Sequence, residues 1–229
     1  MLPLTKLQDE TVIEAEDFSG QDFSHSTLRD CVFTDCRFAG SNFRATDLSR
    51  TEFIRCQFND ATSQQPADFS QANLREVRFS HCNLTVVDFV RSEAYALHFE
   101  HCQLQGADLS RIDCRMPISG TELTDFTMQH CNFAYGTLAE NFLAECEITD
   151  CRLTEANLER CNLRGANLSG SELHNISASG LTIEDADLRG CSFNNLHPRD
   201  ISLAGVKLHY SQLMALVEPL GLVLEPDPD

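Results

Sequence analysis

Residues 151–173 read C-R-L-T-E, A-N-L-E-R, C-N-L-R-G, A-N-L-S-G, S-E-L, and every fifth residue is leucine: Leu153, Leu158, Leu163, Leu168, Leu173. Two places before each leucine stands a small residue: Cys151, Ala156, Cys161, Ala166, Ser171. A period of five matches neither the 3.6 of an α-helix nor the 2.0 of an ordinary strand. The chain therefore has to be read as a repeat before anything else.

Working outward from this stretch, the pattern covers most of the chain. Its N-terminal centres are Phe18, Phe23, Leu28, Phe33, Phe38, Phe43, Leu48, Phe53 and Phe58. A polar interruption, N-D-A-T-S-Q-Q-P at 59–66, is followed by Phe69, Leu74, Phe79, Leu84, Phe89, Ala94, Phe99, Leu104, Leu109 and Cys114. A second interruption, 115–126, contains Pro117 and Gly120, which break regular structure. Centres resume at Met128 and continue to Leu213, weakly at Ala178 and Pro198. This divides the chain into an N-terminal cap (1–16), a repeat body (17–209) with excursions at about 59–66 and 115–126, and a tail (210–229). In the tail, Leu213, Leu216 and Val217 have helical spacing, Pro219 and Gly221 stop the helix, and Leu222-Val223-Leu224 read as a short strand.

Repeats of the form A-(D/N)-L-x-x resemble the pentapeptide-repeat family. The resemblance implies an all-β fold, a right-handed quadrilateral parallel β-helix in which four pentapeptides make one coil. The two excursions, the stretch L-H-P-R-D-I-S-L-A-G-V-K-L and the tail E-P-L-G-L-V-L-E-P-D resemble the Qnr branch more narrowly. That likeness implies protection of DNA gyrase and topoisomerase IV from quinolones, by a homodimer joined through its C-terminal segment. The dimerisation residues would be Leu213, Leu216, Leu220, Leu222 and Leu224.

The four-sided coil can be tested on the residues themselves, since positions twenty apart should then stack. With the first excursion taken as a net insertion of six residues, Phe23, Phe43, Phe69, Phe89 and Phe33, Phe53, Phe79, Phe99 become unbroken aromatic columns, and Leu28, Leu48, Leu74 a third. The same register accounts for the cysteines. Ten of the eleven lie two places before a centre: Cys31, Cys36, Cys56, Cys82, Cys102, Cys131, Cys146, Cys151, Cys161 and Cys191. A thiol is a small hydrophobe suited to a narrow interior. The pairs Cys31/Cys36 and Cys146/Cys151 fall on adjacent faces, and no C-x2-C partner exists, so no metal site is expected. His81 and His101, twenty apart, should stack near a corner. Phe142, adjacent to a centre, should point outward.

The formal net charge is −18, and 42% of residues are hydrophobic. That suits a folded protein and disfavours direct contact with nucleic acid or an anionic membrane. No apolar leader or membrane-length run is present, so the expected location is cytoplasmic. No nucleophile elbow, zinc-protease, Walker or dinucleotide motif occurs, and an interior filled by Phe and Leu leaves no pocket. Neither enzymatic activity nor a cofactor is expected.

Laid on the faces, the charge is uneven. The face of Phe23 carries Asp22, Asp68, Asp88 and Asp108 just before its centres, and the next face carries Asp47 and Glu93. An acidic rod of this kind is a candidate DNA mimic. The plainer reading is that Asp or Asn at this position bonds the local backbone, while Arg44, Arg91 and Arg111 dilute the charge. Loops on a rigid scaffold usually carry recognition. The candidate contacts are therefore Ser63, Gln64, Gln65 and Pro66 in the first excursion, and Arg115, Met116, Pro117, Ile118, Leu123 and Phe126 in the second. The alternative is a scaffold protein with some other partner, for which both excursions are dispensable.

Overall fold

A pentapeptide here forms one side of a square coil, and its residues have separate jobs. The centre and the small residue two before it point inward. The residue two after the centre turns the corner in the left-handed region, as Glu155 (φ 58°) and Arg160 (φ 56°) do. Each corner is closed by a tight turn: the Ala156 N–H donates to the Leu153 carbonyl (3.0 Å) and the Cys161 N–H to Leu158 (3.1 Å). Coils are joined along the axis, with the Leu153 N–H donating to the Glu172 carbonyl and the Glu172 N–H to the Cys151 carbonyl, both at 2.8 Å.

The computed structural model describes residues 8–60, 65–118, 120–217 and 220–221. The first face is a parallel sheet in the order β1 (Val12–Glu14), β2 (Val32–Thr34), β3 (Glu52–Ile54), β4 (Arg78–Ser80), β5 (Leu97–Glu100), β8 (Phe126–Gln129), β9 (Glu147–Thr149). Between β5 and β8 lie β6 (Arg115–Ile118) and β7 (Thr121–Thr124), which form a separate antiparallel hairpin. The second face includes β10 (Glu172–Leu173) paired with β11 (Ser192–Phe193). The remaining rungs are single bridges, which give the third face (Asp22, Asn42, Asp68, Asp88, Asp108) and the fourth (Thr27, Asp47, Asn73, Glu93, Asp113). At about 4.8 Å per coil, the first face from Val12 to Lys207 makes a tube about 43 Å long.

The core lies on the tube axis. Phe53 stacks on Phe79 at 5.0 Å and 7°, and Phe43 on Phe69 at 4.6 Å and 2°, while rings across the tube meet edge-on, as Phe53 and Phe58 do at 78°. Both are favoured aromatic geometries. The aromatic columns and the six-residue insertion read from the sequence are thus present. The Ala67 N–H closes on the Phe58 carbonyl (2.9 Å) just as Ser41 closes on Phe38 (3.0 Å), with the excursion looped out between. Cysteine at the small inward position does more than fill space. The Cys56 thiol donates to the Phe33 carbonyl (3.3 Å), as Ser41 Oγ does to Phe18 and Thr46 Oγ1 to Phe23, both at 2.8 Å. At these positions the small side chain also supplies a donor, whereas alanine, as at Ala156 and Ala166, only fills the space.

Three expectations change. The wall begins before residue 17, because Ile13 is already a buried centre, paired in register with Phe33. Phe126 is not part of an exposed loop. It takes an inward position opposite Leu97, 1% exposed, with its ring 6.1 Å from Phe99. In the tail, α1 (Leu213–Val217) forms as its spacing predicts, but Leu216 is buried against the protein's own core. Gln212, just before α1, donates from Nε2 to the carbonyls of Leu188 and Cys191, both at 2.8 Å, and so satisfies part of the last coil's edge. Leu222 and Leu224 lie outside the described residues. Among the described residues, no helix is long and apolar enough to cross a membrane.

Candidate partner-binding surface

The two excursions leave the tube at opposite corners. The first opens after Phe58, where the second face turns into the third. The hairpin opens after Cys114, where the fourth face turns back into the first, and closes with the Asp125 N–H on the Cys114 carbonyl (3.1 Å). The third and fourth faces, which carry the acidic residues, therefore lie between the two excursions. Of the predicted first-loop residues, Gln65 is exposed and Pro66 half-buried. Ser63 and Gln64 lie outside the described residues. In the hairpin, Pro117 is exposed, Met116 half-buried and Leu123 43% exposed, while the Ile118 backbone pairs with Thr121. Arg115 folds back on the wall, with Nε 3.0 Å from Asp113 and a terminal nitrogen 3.6 Å from Glu122.

The two acidic faces are not equivalent. On the fourth, Asp47 lies 3.9 Å from Arg29, Glu93 3.0 Å from Arg75 and Asp113 3.0 Å from Arg115. On the third, Asp68, Asp88 and Asp108 have no basic side chain within ion-pair distance among the described residues, and Arg111 pairs instead with Glu140 at 2.8 Å. Each of the three accepts a backbone N–H two residues on, from Ser70 (2.7 Å), Val90 (2.8 Å) and Ser110 (2.8 Å). The local-backbone reading of these residues therefore holds, and it uses one oxygen of each. Burial, with Asp68 and Asp108 on either side, pushes the Asp88 carboxyl above the ordinary range. Bridged strands are about 4.8 Å apart, against about 3.4 Å between charges along one DNA strand. The third face is thus a line of uncompensated charge at about two-thirds of that linear density.

Other clusters offer less. His81, His101 and His130 stack at one corner, ring centroids 4.9 Å apart and planes within 10°. Their nitrogen lone pairs lie in parallel planes and cannot converge on one cation. Cys36, Cys56, Cys82, Cys102, Cys131 and Cys151 form a column inside the wall, and every cysteine is free and buried. Burial pushes the thiols of Cys146 and Cys161 up to about 12 and that of Cys191 to about 11, so these sulfurs are held unreactive. Among the described residues, no three His, Cys, Asp or Glu side chains are placed to hold a metal ion.

Known proteins share this architecture. Pentapeptide-repeat profiles match residues 17–50, 26–62 and 145–180 in one form and 48–93 in another. Full-length QnrB1, described as a plasmid-mediated fluoroquinolone resistance protein, superposes with a TM-score of 0.87 at 29% identity, covering 92% of this chain and 100% of that one. A trypsin-treated QnrB1 structure is 30% identical, with a TM-score of 0.75, covering 94% of this chain and 99% of that one. This chain belongs to the Qnr-type pentapeptide-repeat proteins. A curated relative of this Qnr type, the pentapeptide repeat protein QnrB4 of Escherichia coli, is 30% identical over 85 residues, 34% of this chain and 40% of that protein's length.

Proposed function

We propose that this Qnr-type chain is a non-enzymatic, cytoplasmic protein that binds type II topoisomerases, DNA gyrase and topoisomerase IV, and protects them from quinolones. The observation that carries this reading is the uncompensated Asp68–Asp88–Asp108 line lying between the two excursions. A rigid rod with charge at this spacing suits a basic groove built for duplex DNA, and the field would steer its approach. A uniform rod fits any such groove. Specificity therefore falls to the features that break its symmetry, the hairpin with Met116, Pro117 and Leu123 foremost. The similarity to QnrB1, described as a fluoroquinolone resistance protein, supports the same reading. A homodimer through the tail is part of the proposal, with Leu213 (42% exposed) and the half-buried Leu220 as its contacts among the described residues.

The test is a gyrase supercoiling assay with ciprofloxacin, comparing the intact protein with one in which residues 115–124 are replaced by a short Gly linker. Rescue by the intact protein alone is expected. Rescue by both would keep the partner and move recognition to the acidic face. No rescue by folded protein would favour a scaffold role with another partner.

A further inference from the structure

The fourth face contains a departure from the repeat that this reading does not use. In the other three columns the inter-coil bridges run without a break past the level of the hairpin: Gln103 to Asn132 on the second face, Asp108 to Thr137 on the third, and β5 to β8 on the first. The fourth column runs Thr27, Asp47, Asn73, Glu93, Asp113, then stops, and restarts as Phe142, Asn162, Thr182. The Ala94 N–H donates to Asp113 (2.7 Å) and the Leu143 N–H to Asn162 (2.8 Å), but among the described residues no such bond joins Cys114 to Phe142. The residues at the break are also wrong for the repeat. Asn141 occupies the small inward position, 3% exposed. Its Nδ2 donates to the Leu109 carbonyl (2.8 Å), and its Oδ1 meets no donor. Phe142 takes the outward position that is polar in the rest of this column, remains 42% exposed and, among the described residues, stacks on no other ring.

These features cost stability: a missing bridge, a buried acceptor without a partner and an aromatic ring in water. The Asn141 bond to Leu109 spans the break, but among the described residues Oδ1 has no partner and the Phe142 ring stays in water. Local rules broken without a structural gain mark functional positions. Phe142 is the next outward residue of the fourth column after Asp113, whose carboxylate holds Arg115 at the base of the hairpin.

We propose that Phe142 is a second anchor for the protein partner, working beside the hairpin. It would enter an apolar recess in the wall of the basic groove that receives the acidic faces. The partner's chemistry follows from the surroundings. The uncompensated carboxylates of Asp68, Asp88 and Asp108 run up the adjoining third face to Thr137, the rung that precedes Phe142 in the same coil, and Leu123 is exposed (43%) on the hairpin. An aromatic ring at the end of a carboxylate series is complementary to a protein surface that pairs cations with a hydrophobic pocket. Duplex DNA has no such surface. The inference rests on the topoisomerase reading and adds a specific contact to it.

The experiment measures binding of the full chain to immobilised DNA gyrase, for the wild type and for Phe142→Asn, a residue this column already uses at Asn73 and Asn162. The variant should melt at the wild-type temperature or above it, and bind at least tenfold more weakly, as loss of an aromatic hot spot does. Binding within twofold of wild type, with wild-type binding intact, would overturn the anchor and leave the topoisomerase reading standing. A changed sedimentation coefficient would make the face a self-association surface and overturn the proposal. Absence of binding by the wild type would overturn the topoisomerase reading and the anchor with it, and the wild-type arm separates that case from the others. Phe142→Leu, which keeps an apolar side chain, should recover part of the affinity.

Discussion

Asp88 stands between Asp68 and Asp108 in the bridged column of the third face, and its carboxyl is pushed up first by burial and then by these two neighbours. The sign of the effect on stability follows. A carboxyl whose folded pKa lies above its ordinary 3.8 destabilises the folded state when ionised, and the penalty is relieved as pH falls through the raised value. Asparagine at this position still accepts the turn N–H, as Asn42 does from Arg44 at 3.0 Å. Asp88→Asn should therefore stabilise the protein at pH 7 by about 0.5 kcal/mol, with the gain lost as pH falls through the raised value toward 3.8. Chemical denaturation at pH 7 and pH 3 checks it, and an equal gain at both would mean that charge is not the cause. Asp30 and Asp35 behave oppositely. Hydrogen bonds from Arg50 and Arg55 hold their carboxyls down, so their contribution is present above the ordinary carboxylate range and lost on acidification. At this scale the sequence was readable where the repeat assigns the position, as with Asp88 and the inward cysteines. It was less so for pairing between coils. The Arg29–Asp47 and Arg75–Glu93 contacts, each eighteen residues apart, neutralise a face that reads as acidic when only its own positions are counted.

The four-sided coil is the element, and its interior is filled by buried side chains. Phe79 is fully buried, stacked on Phe53 at 5.0 Å and Phe99 at 5.2 Å. Phe79→Asp would bury an unpaired charge at the middle of both stacks. The expected result is loss of the cooperative thermal transition and of β-rich circular dichroism, and a variant that melted as the wild type does would contradict the inward register. The coils were legible because a five-residue period imposes the same chemistry at every step. The second excursion was not, and the reason is local. From Arg115 onward the chain forms its own antiparallel ladder, and Phe126 and Met128 re-enter as an alternating apolar pair that fits loop or wall equally well. Only the pairing of Leu97 with Phe126 decides between them. The break before Phe142 left a fainter trace, an Asn-Phe pair where the repeat calls for a small residue followed by a polar one.

At the scale of the whole molecule, the 35 acidic and 17 basic residues give a net charge of −18 on a tube about 43 Å long. Most of the arginines are spent on carboxylates of adjoining coils, which leaves the third face as the concentrated line of charge. Binding to a basic partner should then weaken steeply with salt. Raising NaCl from 50 to 200 mM should lower the affinity for gyrase by at least tenfold, chiefly by slowing association. A salt-independent affinity would instead place the binding energy in the apolar contacts of the hairpin and Phe142. The overall shape was legible because each coil contacts only its neighbours, whereas the tail belongs to no repeat and Leu216 turned inward against expectation. The closure of the two excursions has a wider consequence. Each leaves and returns through a single hydrogen bond, Ala67 to Phe58 and Asp125 to Cys114, and the next coil resumes in register, save for the one fourth-face rung after the hairpin. Length added at a corner disturbs at most one rung of the following turn. A lineage built on this plan can acquire, lengthen or discard an appendage at one corner without rewriting its interior, so its recognition surface can diversify while its frame stands still.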